Sequence, residues 1–232
     1  MKRLSFIHAL ALLALVSACR SQAKTAQETA PSDPAPPPAL ASAPARPRIV
    51  VLGDSLTAGL GLTPTQSFPY LLQQKLNDEG YKFDVVNAGV SGDTSAGGVR
   101  RLDWALEGDV RVLIVALGGN DGLRGLSVDE MKRNIDQIIA HAREKNIAVV
   151  LAGMEAPPNY GGEYAAAFRK VFQDLARQHR VPLIPFLLSG VAADPELNLQ
   201  DGIHPNPRGA AVVSETVWKA LRPVLDRMST TQ

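Results

Sequence analysis

From Arg48 onward, short and nearly continuous apolar runs alternate with stretches whose apolar residues recur at helical spacing. The runs Arg48 to Leu52, Phe83 to Val86, Val112 to Leu117, Ala148 to Leu151 and Val181 to Ile184 read as strands. Between them, three stripes read as helices: Phe68, Leu71, Leu72 and Leu76; Val128, Met131, Ile135, Ile138 and Ile139; Tyr164, Ala167, Phe168, Val171, Phe172 and Leu175. A last stripe, Val213, Val217, Ala220, Leu221 and Val224, closes the pattern. All of these stripes are taken as packing faces. The alternation predicts an α/β fold, a single three-layer α/β/α domain over residues 48–232 with a five-stranded parallel sheet.

In open sheets of this kind ligands bind beyond the carboxyl ends of the strands. Gly53 to Ser55 follows the first predicted strand, Gly89 to Asp93 the second, Gly118 to Asp121 the third, and Met154 to Tyr160 the fourth, so every glycine-rich or polar cluster falls on that one rim. Asp201 to His204 precedes the last helix, where Asn206 suits the N-cap and Pro207 the first helical position.

The pattern is different before Arg48. Lys2 and Arg3 precede an apolar stretch from Leu4 to Val16, about 13 residues and too short for a bilayer span of about 20. Residues 1–18 therefore read as an export signal. Val16-Ser17-Ala18-Cys19 resembles a bacterial lipobox, in which Cys19 is lipidated and starts the mature chain; a plain secretory signal is the alternative. Cys19 is the single cysteine, so export brings no internal disulfide. Arg20 in the next position favours the outer membrane, by resemblance to sorting in Gram-negative bacteria. Residues 19–47, rich in Ala and Pro around Pro36-Pro37-Pro38, read as a tether unable to build a core. About 28 such residues reach from about 30 Å as a coil to about 85 Å if fully extended in polyproline form.

Composition removes several function classes. The chain is 45% apolar with a formal net charge of +1, its charges interspersed, so no nucleic-acid footprint is visible. Gly59-Leu60-Gly61-Leu62-Thr63-Pro64 lacks the third glycine of a dinucleotide fingerprint and the lysine of a P-loop. No His or Cys cluster has zinc spacing, and Ser55-Leu56-Thr57 is not the nucleophile elbow of an α/β-hydrolase.

What remains is acyl-transfer chemistry. Of four histidines, His8 falls in the signal, His141 lies beside Arg143 in a helical stretch, and His179 belongs to the basic end Arg177-Gln178-His179-Arg180. His204 alone has a carboxylate, Asp201, at fixed spacing in a loop, and Pro205 holds it in an extended backbone. A serine after a buried strand, an imidazole to take its proton and a carboxylate to orient that imidazole are what nucleophilic hydrolysis needs. Ser55 could equally be a helix N-cap and Asp201-x-x-His204 a cap or surface feature. Gly118-Gly119-Asn120-Asp121 is either a strand-to-helix turn or a source of the Asn120 amide for an oxyanion. Gly92 is either a tight turn or a second donor through its N–H, with the Ser55 N–H as a third.

Taken together, Gly53-Asp54-Ser55-Leu56, Gly92, Gly118-Gly119-Asn120-Asp121 and Asp201-x-x-His204 resemble, in order, the four blocks of the SGNH or GDSL hydrolases. The longer strings Gly89 to Ser95, Gly118 to Gly125 and Asp201 to Asn206 resemble the branch of periplasmic acyl-CoA thioesterase/lysophospholipase and bacterial arylesterases. The resemblance implies a flavodoxin-like fold, Ser55 as nucleophile, Gly92 and Asn120 as oxyanion donors, His204 as general base then acid, and Asp201 as its partner. It implies hydrolysis of aryl esters, acyl esters, acyl thioesters or lysophospholipids with no metal or organic cofactor; a monomer with no nucleic-acid partner is expected. Polysaccharide O-acetyl groups are an alternative substrate. A catalytically silent binding protein on the same fold is the rival from another class. The departure from the branch is the leader, since those relatives are typically soluble and this chain is expected to be tethered to the cell envelope through Cys19. Leu123, Leu126, Met154, Pro157, Pro158 and Tyr160 are candidates for the apolar walls of an acyl site or are ordinary loop anchors.

Overall fold

The computed structural model describes residues 46–229. The signal, Cys19 and nearly all of the tether lie outside the described residues. Five strands form one parallel sheet: β1 (Arg48–Gly53), β2 (Asp84–Gly89), β3 (Val110–Ala116), β4 (Ala148–Ala152) and β5 (Leu183–Ile184). The spatial order is β2-β1-β3-β4-β5. Among the described residues eight α-helices accompany them: α1 (Ser55–Ala58), α2 (Phe68–Asp78), α3 (Ser95–Arg100), α4 (Leu102–Ala105), α5 (Gly119–Leu123), α6 (Val128–Glu144), α7 (Gly162–His179) and α8 (Pro207–Ser229).

The inner strands are apolar on both faces because helices cover both. Ile49, Leu52, Leu113, Ile114 and Leu151 are fully buried. α2 packs against α8 in one layer, while α6 packs against α3 and α7 in the other. Right-handed crossovers require this division: the chain moves one way from β1 to β2 and the other way from β3 to β5. The direction reverses between β1 and β3, so the crevice for a ligand opens where Gly53 and Ala116 end their strands side by side.

The predicted strands are all present, with shifted bounds. β2 starts one residue later than predicted and runs to Gly89, and β3 starts two residues earlier. β5 keeps only two of the four predicted residues, since Pro182 has no N–H to donate to a ladder. Its carbonyl still accepts from the Leu151 N–H at 2.9 Å. The short helices α1, α3, α4 and α5 were not predicted, being too brief to show a period.

Candidate active site

Four loops converge at the carboxyl edge of the sheet, and the first is the tightest. β1 ends at Gly53 and α1 starts at Ser55. The residue that caps α1 is Asp54, whose Oδ1 accepts from the Leu56 N–H at 3.0 Å. Ser55 is therefore not the cap, and its hydroxyl turns elsewhere: Oγ lies 2.9 Å from Nε2 of His204. On the other side of that ring, Nδ1 lies 2.7 Å from Oδ2 of Asp201. The three side chains singled out in the sequence thus form one hydrogen-bonded chain. The domain's other histidines are engaged away from it, His141 with Asp103 at 2.7 Å and His179 with Asp136 at 2.6 Å.

The loop carrying His204 is held by its own backbone. Its carbonyl accepts from the Leu199 N–H at 2.7 Å, and the Asn206 N–H donates to the Leu197 carbonyl at 2.9 Å. Asn206 Oδ1 caps α8 by accepting from the Arg208 and Gly209 N–H groups at 2.9 and 3.1 Å, as predicted. Asp201 folds back so that Oδ1 accepts from the N–H groups of Ile203 and His204 at 2.9 and 3.0 Å. Those backbone donors, that of His204 first, hold the Asp201 carboxyl down at about 2 although it stands largely in solvent. It is a carboxylate throughout the neutral range.

The other two loops bring polar groups to the same spot. Gly118 turns the chain from β3 into α5 at φ +109°, and a Cβ there would come within 3.0 Å of the Phe172 ring and 3.1 Å of the Met131 sulfur. This sets Asn120 in the first turn of α5. Its Nδ2 donates to the Asp93 carbonyl at 2.9 Å and to Asp54 Oδ2 at 3.3 Å. Gly92, at φ +81°, lies on the cleft wall, and its carbonyl accepts from Arg124 Nη2 at 2.7 Å.

Three further residues organise the site and were not assigned from the sequence. Arg101, mostly buried, donates from Nε to Asp93 at 2.7 Å, from Nη1 to the Ala88 carbonyl at 2.7 Å and from Nη2 to the Gly53 carbonyl at 2.8 Å. One guanidinium thus ties the ends of β1 and β2 to the loop that carries Gly92. Buried Asp121 accepts from the Ser95 N–H and hydroxyl at 2.8 and 2.6 Å, joining α5 to the start of α3. The third is Asp54 itself, 3% exposed. Burial pushes its carboxyl up to about 6, against the opposing pull of the Leu56 N–H, His204 and Asn120.

A raised carboxyl pKa has a definite sign in stability. The folded chain holds the Asp54 proton more tightly than the unfolded chain, so stability falls as pH rises from about 4 to about 6. Two pH units correspond to at most about 3 kcal/mol. Wild type is expected to lose part of this range in urea unfolding between those pH values, and Asp54→Asn to lose none of it. Parallel stability profiles for the two proteins would refute burial of an ionisable Asp54 as the source.

A cleft of about 570 Å³ opens over Ser55 and His204. Its walls are apolar: Leu60, Leu123, Met154, Pro157, Phe186 and Ile203 among others. Of the six wall candidates from the sequence, Leu123, Met154, Pro157 and Pro158 line the cleft, whereas Leu126 and Tyr160 do not. The Tyr160 hydroxyl instead donates to the Leu123 carbonyl at 3.0 Å, and its ring covers Gly125. Among the described residues no lysine or arginine lines the cleft, and Glu155, which does, is held by Arg169 at 2.6 to 3.0 Å.

Comparison with known proteins bears on this site. The model of the GDSL-like lipase/acylhydrolase family matches residues 51–212. The chain is 43% identical over 178 residues to the esterase TesA of Pseudomonas aeruginosa, covering 76% of this chain and 89% of that protein. It is 36% identical over 182 residues to thioesterase 1/protease 1/lysophospholipase L1 of Escherichia coli K12, covering 78% and 86%. Among solved structures, the psychrotrophic esterase EstA from Pseudoalteromonas, inhibited by monoethylphosphonate, superposes with a TM-score of 0.73 at 31% identity, covering 77% of this chain and 98% of that one.

Proposed function

The chain belongs to the GDSL-like lipase/acylhydrolase family and is a carboxylic ester hydrolase; from that premise we propose that it works through Ser55, His204 and Asp201 by way of an acyl-enzyme. Ser55 Oγ attacks the ester carbonyl while His204 Nε2 takes its proton, and Asp201 steadies the imidazolium through Nδ1. The tetrahedral oxyanion is met by the N–H groups of Ser55 and Gly92 and by the Asn120 amide. An amide nitrogen has two protons, and both already have acceptors, Asp93 and Asp54. The oxyanion takes over the one that faces Asp54, the longer contact at 3.3 Å. Collapse breaks the carbonyl–oxygen bond, His204 returns the proton to the leaving alcohol, and a water activated by the same imidazole attacks the acyl-serine to release the acid.

The observation that carries this reading is the unbroken Ser55–His204–Asp201 hydrogen-bond chain, whose Ser55 and His204 line an apolar cleft. The lining also favours a substrate class. Apolar walls suit the acyl or aryl part of a neutral ester. The test is a reactive alkyl phosphonate followed by intact-mass and peptide analysis. One adduct, on Ser55, is expected on the wild type and none on Ser55→Ala. A wild-type chain that stays unlabelled, or a Ser55→Ala variant that labels equally, would refute the proposal. On p-nitrophenyl esters, kcat/KM is expected to rise from acetate to hexanoate or octanoate; a profile that peaks at acetate would reject the apolar-acyl assignment.

A further inference from the structure

Large apolar side chains exposed on the described surface are not scattered. Eight are at least 40% exposed, and six of them, Leu60, Val90, Leu123, Leu126, Tyr160 and Ile203, stand on the loops at the carboxyl edge of the sheet. Leu60 follows α1, Val90 follows β2, Leu123 and Leu126 flank the end of α5, Tyr160 follows β4, and Ile203 precedes His204. Only Trp104 and Tyr70 lie elsewhere. Single exposed leucines are ordinary, but a ring of them around one opening is not. Leu60, Leu123 and Ile203 also line the cleft, so the ring is continuous with its apolar walls.

The opposite edge of the sheet has the reverse character. There Arg111, Arg143, Arg180 and Arg227 border a separate cleft, Arg111 paired with Asp109 at 2.5 Å, and Arg46, paired with Asp84 at 3.9 Å, leads the chain through Pro47 into β1 on the same side. Part of that positive charge offsets the carboxyl ends of α6, α7 and α8, which finish there. It gives the domain a polar pole facing away from the apolar ring.

We propose that the apolar ring seats the domain, catalytic edge down, on the surface of an aggregated lipid, from which acyl esters enter the cleft directly. The proposal rests on the hydrolase reading of that cleft and names the physical form of its substrate. The occupant follows from continuity: a surface of packed acyl chains buries the rim residues and delivers an acyl group to the walls they extend. Chain length permits the orientation. A domain of this size has a radius of gyration of about 16 Å. The segment before Arg48 that composition reads as a tether, about 28 residues, has an expected reach of about 30 Å to about 85 Å, more than the width of such a domain. Val90, Leu126 and Tyr160, which line no part of the cleft, are then explained by contact with lipid.

The test marks each pole separately. In the full chain with Cys19→Ser, a single cysteine at Leu126→Cys or at Lys145→Cys carries an environment-sensitive fluorophore, Lys145 standing at the opposite edge just before β4. On adding phosphatidylcholine vesicles, the label at 126 is expected to shift to the blue and to become at least threefold less quenched by iodide, while the label at 145 stays unchanged. A response at 145 alone, or at neither position, overturns the proposal. Kinetics supply the second readout. The double variant Val90→Gln/Leu126→Gln is expected to lose fivefold or more in rate on micellar lysophosphatidylcholine and to stay within twofold of wild type on dissolved p-nitrophenyl acetate. Equal rates on micelles overturn the proposal as well. Adding Ser55→Ala to the label at 126 is expected to abolish hydrolysis and keep the blue shift, so failure of docking and failure of the catalytic reading give different results.

Discussion

Replacing Ser55 by alanine is expected to lower kcat on a p-nitrophenyl ester by about 10⁵-fold, the scale on which serine hydrolases lose their nucleophile, with KM little changed. The reason is geometric. The Ser55 hydroxyl makes a single 2.9 Å contact, to His204, and substrate binding is left to walls that the substitution does not touch. The fold is expected to be unaffected, because Asp54 and not Ser55 caps α1; a thermal scan should show a midpoint within a few degrees of wild type. His204→Ala should cost about as much as Ser55→Ala, and the double variant little more than either alone, since each removes the same unit. Steady-state kinetics of the three proteins check this. Ser55→Ala retaining a tenth of wild-type activity, or effects that multiply in the double variant, would assign the chemistry to some other nucleophile.

How far the sequence reaches can be judged from particular residues. The buried strands were legible because a strand covered on both faces must be apolar throughout, and that placed Ser55, Gly92 and Asn120 on one rim. The Asn206 cap and the pairing of His204 with Asp201 were legible because capping and loop geometry act between near neighbours. Contacts between side chains and distant backbone left no such trace. Nothing in the residue types around Arg101 indicates that its guanidinium binds the carbonyls of Gly53 and Ala88, 48 and 13 residues away. Asp54 was visible as a letter in a motif, whereas its burial, and the proton that burial favours, depend on Gly119 and Asn120 closing over it from the first turn of α5. The exposed ring was hidden for a related reason. Leu126 and Tyr160 look in sequence like wall residues, and only the fold shows that they stand outside the cleft.

Asp201→Asn is expected to lower kcat/KM by about 10⁴-fold, the order seen when a triad carboxylate is made neutral without loss of shape. The local geometry says why an amide fails here. Two backbone N–H groups, those of Ile203 and His204, point at Oδ1, so an asparagine at 201 must keep its carbonyl oxygen there and turn its NH₂ toward His204. That NH₂ donates to Nδ1, which must then accept, and the ring proton moves to Nε2. An Nε2 that carries a proton cannot take the one on Ser55 Oγ. The substitution therefore installs the wrong tautomer while leaving the loop intact. Asp201→Ala imposes no tautomer, so it is expected to cost no more than Asp201→Asn, and Asp201→Glu to recover part of the rate. A merely structural Asp201 predicts the reverse ranking, because asparagine keeps both backbone hydrogen bonds and alanine loses them. The pH dependence adds a second check. With its carboxyl held down at about 2, Asp201 contributes no ionisation step to the wild-type kcat/KM profile above about pH 3. Near-wild-type activity in Asp201→Asn, together with a crippled Asp201→Ala, would remove Asp201 from the mechanism and leave it as a loop support.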